Sequence, residues 1–330
     1  MRERRLRVAL LGRGPQAQRW ASALRPFAQI CPPPEELPGD VDAIIIAPGT
    51  HDPFARAKEA LLAGLPVLHA APFALSPWQA NALHALSTRR TALLRFAEPF
   101  QHQPGFAFLR RLLRGREPFW RPLYLRSLRA VPPTGHRRID ELATEDLAVC
   151  QALLEAAPNS VAAVACHRDE AGEPCAVLLI LQYRDGPPVQ CAISLVETAP
   201  KRELVAVTAS HTVTLDDLDS AGALRIVNGH TQAFPVGLPG RAPDPIVEET
   251  REFVDAAAEG DLSFANSARW AQVAGVWWAA RQSMSFGGVV EVPTTSLSPR
   301  YGEPPPLTVI QGGGRAASKR ERPALTVIAG

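Results

Sequence analysis

Short apolar runs alternate with helix-length segments through the first hundred residues, and no other feature restricts the fold as strongly. Leu6 to Leu11 is compact enough for a buried strand, and it ends at Gly12-Arg13-Gly14. An amphipathic helix follows, with Ala17, Trp20, Ala21 and Leu24 at helical spacing and Pro15 suited to a first turn. A short strand fits Phe27 to Cys31, where Pro32, Pro33 and Pro34 stop it. Asp42 to Ala47 reads as a buried strand, Pro53 to Ala63 as a helix ended by Gly64, and Val67 to His69 as another strand. Ser76 suits the cap of a helix to about Ser87, and Ala92 to Phe96 completes the set. Strands separated by helices of this length predict a parallel sheet.

The pattern changes after about Pro118. One helix is expected over 140–156, followed by strand-like runs at Val161 to Cys166, Ala176 to Tyr183, Val189 to Val196, Leu204 to Ala209 and Thr212 to Leu215. Asp185-Gly186 between two of them is a hairpin signal. Strands this close, without helices between them, make a mostly antiparallel sheet. Helical pattern returns from Val247 to Ala258 and from Phe264 to Ser283. The reading is therefore an α/β domain over 1–120, an α+β domain over 121–297, and a Pro/Gly/Arg-rich tail over 298–330. The tail repeats P-x-L-T-V-I-x-G, at Pro305 to Gly312 and at Pro323 to Gly330. Such a tail reads first as disordered with two adherent segments, and alternatively as a short strand that adds to an open sheet edge, in this chain or in a docking partner.

Composition narrows the function classes. The formal net charge of +2 gives no field suited to nucleic acid or an acidic membrane. Five cysteines, an odd number with no C-x-x-C pair, argue against a disulfide framework or a zinc site. They read as buried thiols of a cytoplasmic protein, with Cys175 and Cys191 able to face each other across a hairpin. No apolar stretch has the length of a membrane span. Lysine occurs only at Lys58, Lys201 and Lys319, which leaves few candidates for any chemistry that requires one.

Gly12-Arg13-Gly14-Pro15-Gln16-Ala17 fits G-x-G-x-x-G/A between a strand and a helix, the context in which that motif holds a pyrophosphate. The first glycine permits the tight turn, the second lets backbone approach the anion, and the helix start supplies N–H groups. A dinucleotide site also needs an acidic residue about 20 positions further on to read the ribose. Here that stretch holds three prolines and then Glu35-Glu36, which read as the start of a helical turn. The adenosine side of the site is reduced.

The order of these elements, over about residues 5 to 293, resembles the Gfo/Idh/MocA oxidoreductases. The landmarks are the glycine turn, Asp42 to His51 (D-A-I-I-I-A-P-G-T-H, similar to the family's D-A-V-x-I-A-T-P-N-x-x-H), Ala60 to Leu68, Glu248 to Val254, and the closing Ala279 to Val292. The resemblance implies a shortened Rossmann-like domain followed by the α+β domain. It also implies an NAD or NADP site formed by Gly12, Arg13, Gly14, Pro15, Gln16, Pro48 and His51, with no metal. Family members carry E-K-P after the strand that ends in V-L, and the lysine handles the substrate proton. This chain reads His69-Ala70-Ala71-Pro72, with alanine in the lysine's place. Where the family often has D-x-x-x-H, Glu141 and Glu145 stand, four residues apart on one helix. Such pairs are more often a solvated helix face than an acid–base pair. His69 reads more readily as a packing residue than as a base, and Trp270, Trp277 and Trp278 as core or subunit contact.

Hydride transfer needs a cofactor pocket and a group for the coupled proton. The leading expectation is a homologue that binds a nucleotide or other ligand, holds NAD(P) weakly or not at all, and lacks dehydrogenase activity. The alternatives are an active NAD(P)-dependent oxidoreductase using His69 or Glu145, and a scaffold subunit. Consecutive apolar residues at Ala176 to Leu181 and Ala192 to Val196 predict a homodimer or higher assembly through the second sheet. Helices at 140–156 and 247–283 would cover only its other face.

Overall fold

The computed structural model describes residues 5–32, 39–70, 75–115, 118–133, 138–216, 224–228, 234–236, 243–293 and 309–310. Its first sheet is parallel, in the order β2-β1-β3-β4-β5. Those strands are β1 (Arg7–Leu11), β2 (Gln29–Cys31), β3 (Ala43–Ile46), β4 (Val67–His69) and β5 (Leu94–Phe96). Helices α1 (Pro15–Leu24), α2 (Pro53–Leu62) and α3 (Pro77–Arg90) make the connections. All four residues of β3 are buried, because both faces of the sheet are covered. Ser76 caps α3 in a full capping box with Gln79. The helix continues to Arg90, three residues past the expected end, and closes on Thr91 in the left-handed conformation.

The second sheet has ten strands, in the order β13-β12-β11-β10-β6-β9-β8-β7-β14-β15. After α4 (Pro104–Leu113), β6 (Pro122–Ala130) enters its middle, and α5 (Ile139–Leu154) follows. Next come β7 (Ser160–Arg168), β8 (Pro174–Gln182), β9 (Val189–Ser194), β10 (Lys201–Thr208), β11 (His211–Asp216), β12 (Leu224–Asn228) and β13 (Phe234–Val236). β6 runs parallel to β9, and the other pairs are antiparallel. α6 (Pro245–Glu259), α7 (Ser267–Phe286) and β14 (Val289–Glu291) complete this part. The first tail copy contributes β15 (Val309–Ile310), which pairs antiparallel with β14 at the sheet edge. The second copy lies outside the described residues.

Two expectations are corrected, and two elements are new. α4 and β6 were not anticipated from the pattern. Residues 247–258 do not cover the second sheet: Phe253, Val254 and Ala256 of α6 join the core of Val8, Trp20, Leu24 and Ile45 on the first sheet. Cys191 faces Cys150 of α5, with sulfurs 3.9 Å apart, and not Cys175, which is partly exposed. The second sheet's inner face is sealed by α5 and α7 over Val161, Val177, Leu179 and Ile193. Its other face carries Ala162, Val164, Leu178, Ile180 and Ala192 in facing register, with Val164 59% exposed.

The two sheets are tied at the end of β5. The Asn266 side chain accepts from Phe96 N and donates to Phe96 O, both at 2.8 Å, extending the ladder by one amide. Arg95, buried on β5, donates to the wholly buried Glu249 of α6 at 2.8 Å. These contacts hold α6 and α7 against the first sheet while α7 also packs on β7.

Candidate ligand-binding cleft

β1 delivers the chain into the glycine turn, and the turn is locked by backbone. A Cβ at Gly12 (φ +123°) would sit 2.7 Å from the Pro48 carbonyl oxygen and 2.8 Å from that of Ala47. A Cβ at Gly49 (φ +82°) would sit 2.5 Å from the Arg13 carbonyl. The first turn and the β3–α2 loop therefore interlock only without side chains. Gly14 differs: its φ is +91°, but a Cβ there would meet nothing within 4 Å. Gly14 is also the N-cap of α1, which has no side-chain cap, with Pro15 in the first turn. An uncapped helix start beneath open space is where an anion approaches closely. In the facing loop Thr50 donates to the Ala47 carbonyl at 2.7 Å, and Asp52 caps α2 through Ala55 N at 2.9 Å.

This turn opens onto a cleft of about 1050 Å³ between the two sheets. The first-sheet wall includes Arg13, Gln16, Pro48, Ala70 and Ala97. The second wall carries Arg129 from β6, Glu141 and Glu145 from α5, and Lys201 and Arg202 from β10. Trp270 closes one side, its indole N–H donating to the wholly buried Glu98 at 2.9 Å. Arg269 also donates to Glu98.

Arg129 organises the second wall. Its guanidinium donates to Asp146 at 3.1 Å and to Glu145, and Ser127 donates to Asp146 at 2.8 Å. Burial raises the Asp146 pKa above the ordinary carboxylate value, against the opposing pull of Arg129 and Ser127. Glu145 keeps one side toward the cleft, its side chain 25% exposed. The i, i+4 carboxylates of α5 therefore line a concave surface and do not form the solvated helix face expected for such spacing.

Of the residues proposed for a cofactor, Arg13, Gln16 and Pro48 line the cleft, and Gly12, Gly14 and Pro15 form the turn beside it. His51 is exposed next to the α2 cap and does not line the cleft. His69 lies fully inside the first sheet at the end of β4, its ring 5.4 Å from that of Phe96. Burial lowers its pKa to about 3, so the imidazole stays neutral and away from the cleft wall. Ala71, Pro72, Glu35 and Glu36 lie outside the described residues. Trp277 donates to Asp140 at 2.8 Å and Trp278 packs edge-on against Trp78, whereas Trp270 does reach the cleft. Arg129, Lys201 and Arg202 were not anticipated as cleft residues. Only the β6–β10 register, Lys201 opposite Ala130 and Arg202 opposite Arg129, brings them there. Among the described residues no cluster of metal-ligating side chains occurs, and no helix is long and apolar enough to cross a membrane.

No protein-family profile and no curated sequence matches the chain. Solved structures do match. UDP-N-acetylglucosamine 3-dehydrogenase GnnA from Acidithiobacillus ferrooxidans is 22% identical with a TM-score of 0.74, covering 86% of this chain and 99% of its own. GenD2 from gentamicin A biosynthesis, in complex with NAD, is 19% identical with a TM-score of 0.73, covering 88% and 97%. A mutant 3-ketoreductase from Actinomadura kijaniata, in complex with TDP-benzene and NADP, is 20% identical with a TM-score of 0.72, covering 84% and 97%. At these identities the likeness establishes a shared fold: a parallel Rossmann-like sheet with helices, followed by a mostly antiparallel sheet.

Proposed function

We propose that this chain is a Gfo/Idh/MocA-type protein that binds a dinucleotide or related ligand in the cleft and does not transfer hydride by the family's lysine-dependent route. The observation that carries the reading is the cleft itself. One wall is a glycine turn suited to a pyrophosphate, and the strand end on that wall continues from Ala70 into Ala71, where the family has its lysine. The residues present fit the phosphate part of a dinucleotide: Gly14 leaves space for it and the uncapped start of α1 faces it. GenD2 and the 3-ketoreductase, described with NAD and NADP, support that fit on the same fold. When bound, a nicotinamide supplies the hydride acceptor or donor. At the position of the family's lysine this chain has Ala71, and alanine can neither move the coupled proton nor hold an alkoxide. Weak binding is expected from the reduced adenosine side, where three prolines stand between β2 and Glu35-Glu36, the acids at about the ribose reader's spacing.

A second reading is favoured by Glu145. It lines the cleft, is partly exposed and is positioned by Arg129, which makes its carboxylate the candidate base of an active NAD(P)-dependent enzyme. A coupled-absorbance screen of polyols, aldoses, inositols and UDP-N-acetylglucosamine with NAD+ and NADP+ separates the two. The expected result is no turnover, in the wild type or in Ala71→Lys alone. Turnover that Glu145→Gln abolishes would establish the second reading instead.

A further inference from the structure

The two walls of the cleft offer a ligand different chemistry. On the first sheet the surface beside the glycine turn combines backbone with Arg13, Gln16 and Arg19. On the second sheet it is side chains, gathered by the ladder: Lys201 and Arg202 open β10 opposite Ala130 and Arg129, the last residues of β6. Strand ends paired in this way bring their side chains to one rim. With Arg13 and Arg19, five cationic side chains line the cleft against three carboxylates, Glu141, Glu145 and Asp244. The whole chain carries only +2, so this excess is local.

The cations are not equally committed. Arg129 is buried between Glu145 and Asp146, and Arg19 is paired with Asp244 at 3.3 Å. Lys201 holds Glu197 at 3.1 Å, with the two side chains 52% and 36% exposed. An exposed pair of this kind contributes little, so exchanging Glu197 for another anion costs little. A lysine ammonium on a flexible stem suits that exchange, because it acts as a mobile point charge with three donors.

We propose that Lys201, supported by Arg202, is an anion-receiving subsite on the second-sheet wall, taking a carboxylate or phosphoryl group of a small-molecule ligand that faces the glycine turn. The proposal deepens the reading of this cleft as the ligand site and rests on it. It gives the lysine of the second sheet a binding role that no lysine of the first sheet can fill. The volume, about 1050 Å³, lies just above the roughly 300–1,000 Å³ typical of ligand pockets and leaves room for a second ligand beside a nicotinamide.

The test uses the full-length chain and calorimetric titration of malonate and of inorganic phosphate, each at constant ionic strength, with NAD+ titrated in parallel. At least one anion should bind saturably. Lys201→Ala should weaken it about tenfold or more and Lys201→Arg should retain it. Glu197→Gln should strengthen it, because it removes the competing carboxylate; loss of fold would not do so. Malonate alone binding marks a carboxylate ligand, and phosphate alone a phosphoryl one. No saturable anion, or an affinity unchanged in Lys201→Ala, overturns the proposal. Lys201-dependent anion binding without any NAD+ binding would sink the dinucleotide reading and leave this subsite standing. NAD+ binding with no anion site would do the reverse.

Discussion

Replacing Arg129 by methionine tests the architecture of the second wall. The substitution keeps volume and removes the guanidinium from Glu145 and Asp146. Glu145 is partly exposed and can be rehydrated, so little of the loss belongs to it. Asp146 cannot: its side chain is 4% exposed, and after the change Ser127 remains as a donor and Arg202 as a nearby positive charge among the described residues. Breaking a buried pair by removing one partner costs about 3–5 kcal/mol, a large share of the roughly 5–15 kcal/mol that stabilises a domain. The pH dependence follows from the direction of the Asp146 shift. Its folded-state pKa is already raised by burial, so the folded protein takes up this proton more readily than the unfolded chain. The contribution is fully favourable below the unfolded carboxylate value and is lost as pH rises through the folded one. Removing Arg129 takes away an opposing pull and raises that pKa further. The destabilisation should therefore be smaller in mild acid than at neutral pH. Urea unfolding of wild type and variant at both pH values measures it, and Asp146→Asn added to Arg129→Met should recover much of the loss. A loss below about 1 kcal/mol, or one independent of pH, would refute the account of a buried, positioned pair.

The glycines of the turn should separate by role. Gly12→Ala, whose Cβ meets two carbonyl oxygens, should cost about 1–3 kcal/mol or more in chemical denaturation. Gly14→Ala, facing open space, should lose less stability but weaken any dinucleotide contact measured by fluorescence titration. The exposed apolar face of the second sheet should hold a homodimer or higher assembly, read by light scattering after size exclusion. Val164→Asp and Leu178→Glu, opposite each other in register, should dissociate it, and a wild-type monomer would rule that interface out.

The first sheet was legible because its strands are short, buried throughout in β3, β4 and β5, and punctuated by Gly, Pro and Ser at the helix ends. Gly64, Ser76 and Pro53 mark those boundaries for reasons local to the backbone. β6 was not legible, because Pro122 to Ala130 lacks a clean period-two pattern, with Arg126, Ser127 and Arg129 among its leucines, and it sits at the centre of a sheet whose neighbours, β9 and β10, come some sixty residues or more later. For the same reason the cleft's basic wall was invisible. Arg129 reads as one arginine among many until long-range pairing sets it against Arg202, and a buried aspartate against both. Glu141 and Glu145 show the converse. Their helical spacing was plain, but only the fold decides whether that face meets water or a concave wall. His69 was read as packing more than chemistry, and its position inside the sheet follows from β4 being buried at every residue.

Direct titration of NADH and NADPH into the full-length protein, by calorimetry, tests the central claim most closely. With three prolines between β2 and Glu35-Glu36, the proposed site should hold either coenzyme with a dissociation constant above about 100 μM, equivalent to less than roughly 5.5 kcal/mol. A dissociation constant in the low micromolar range would contradict this account and point to a working dehydrogenase.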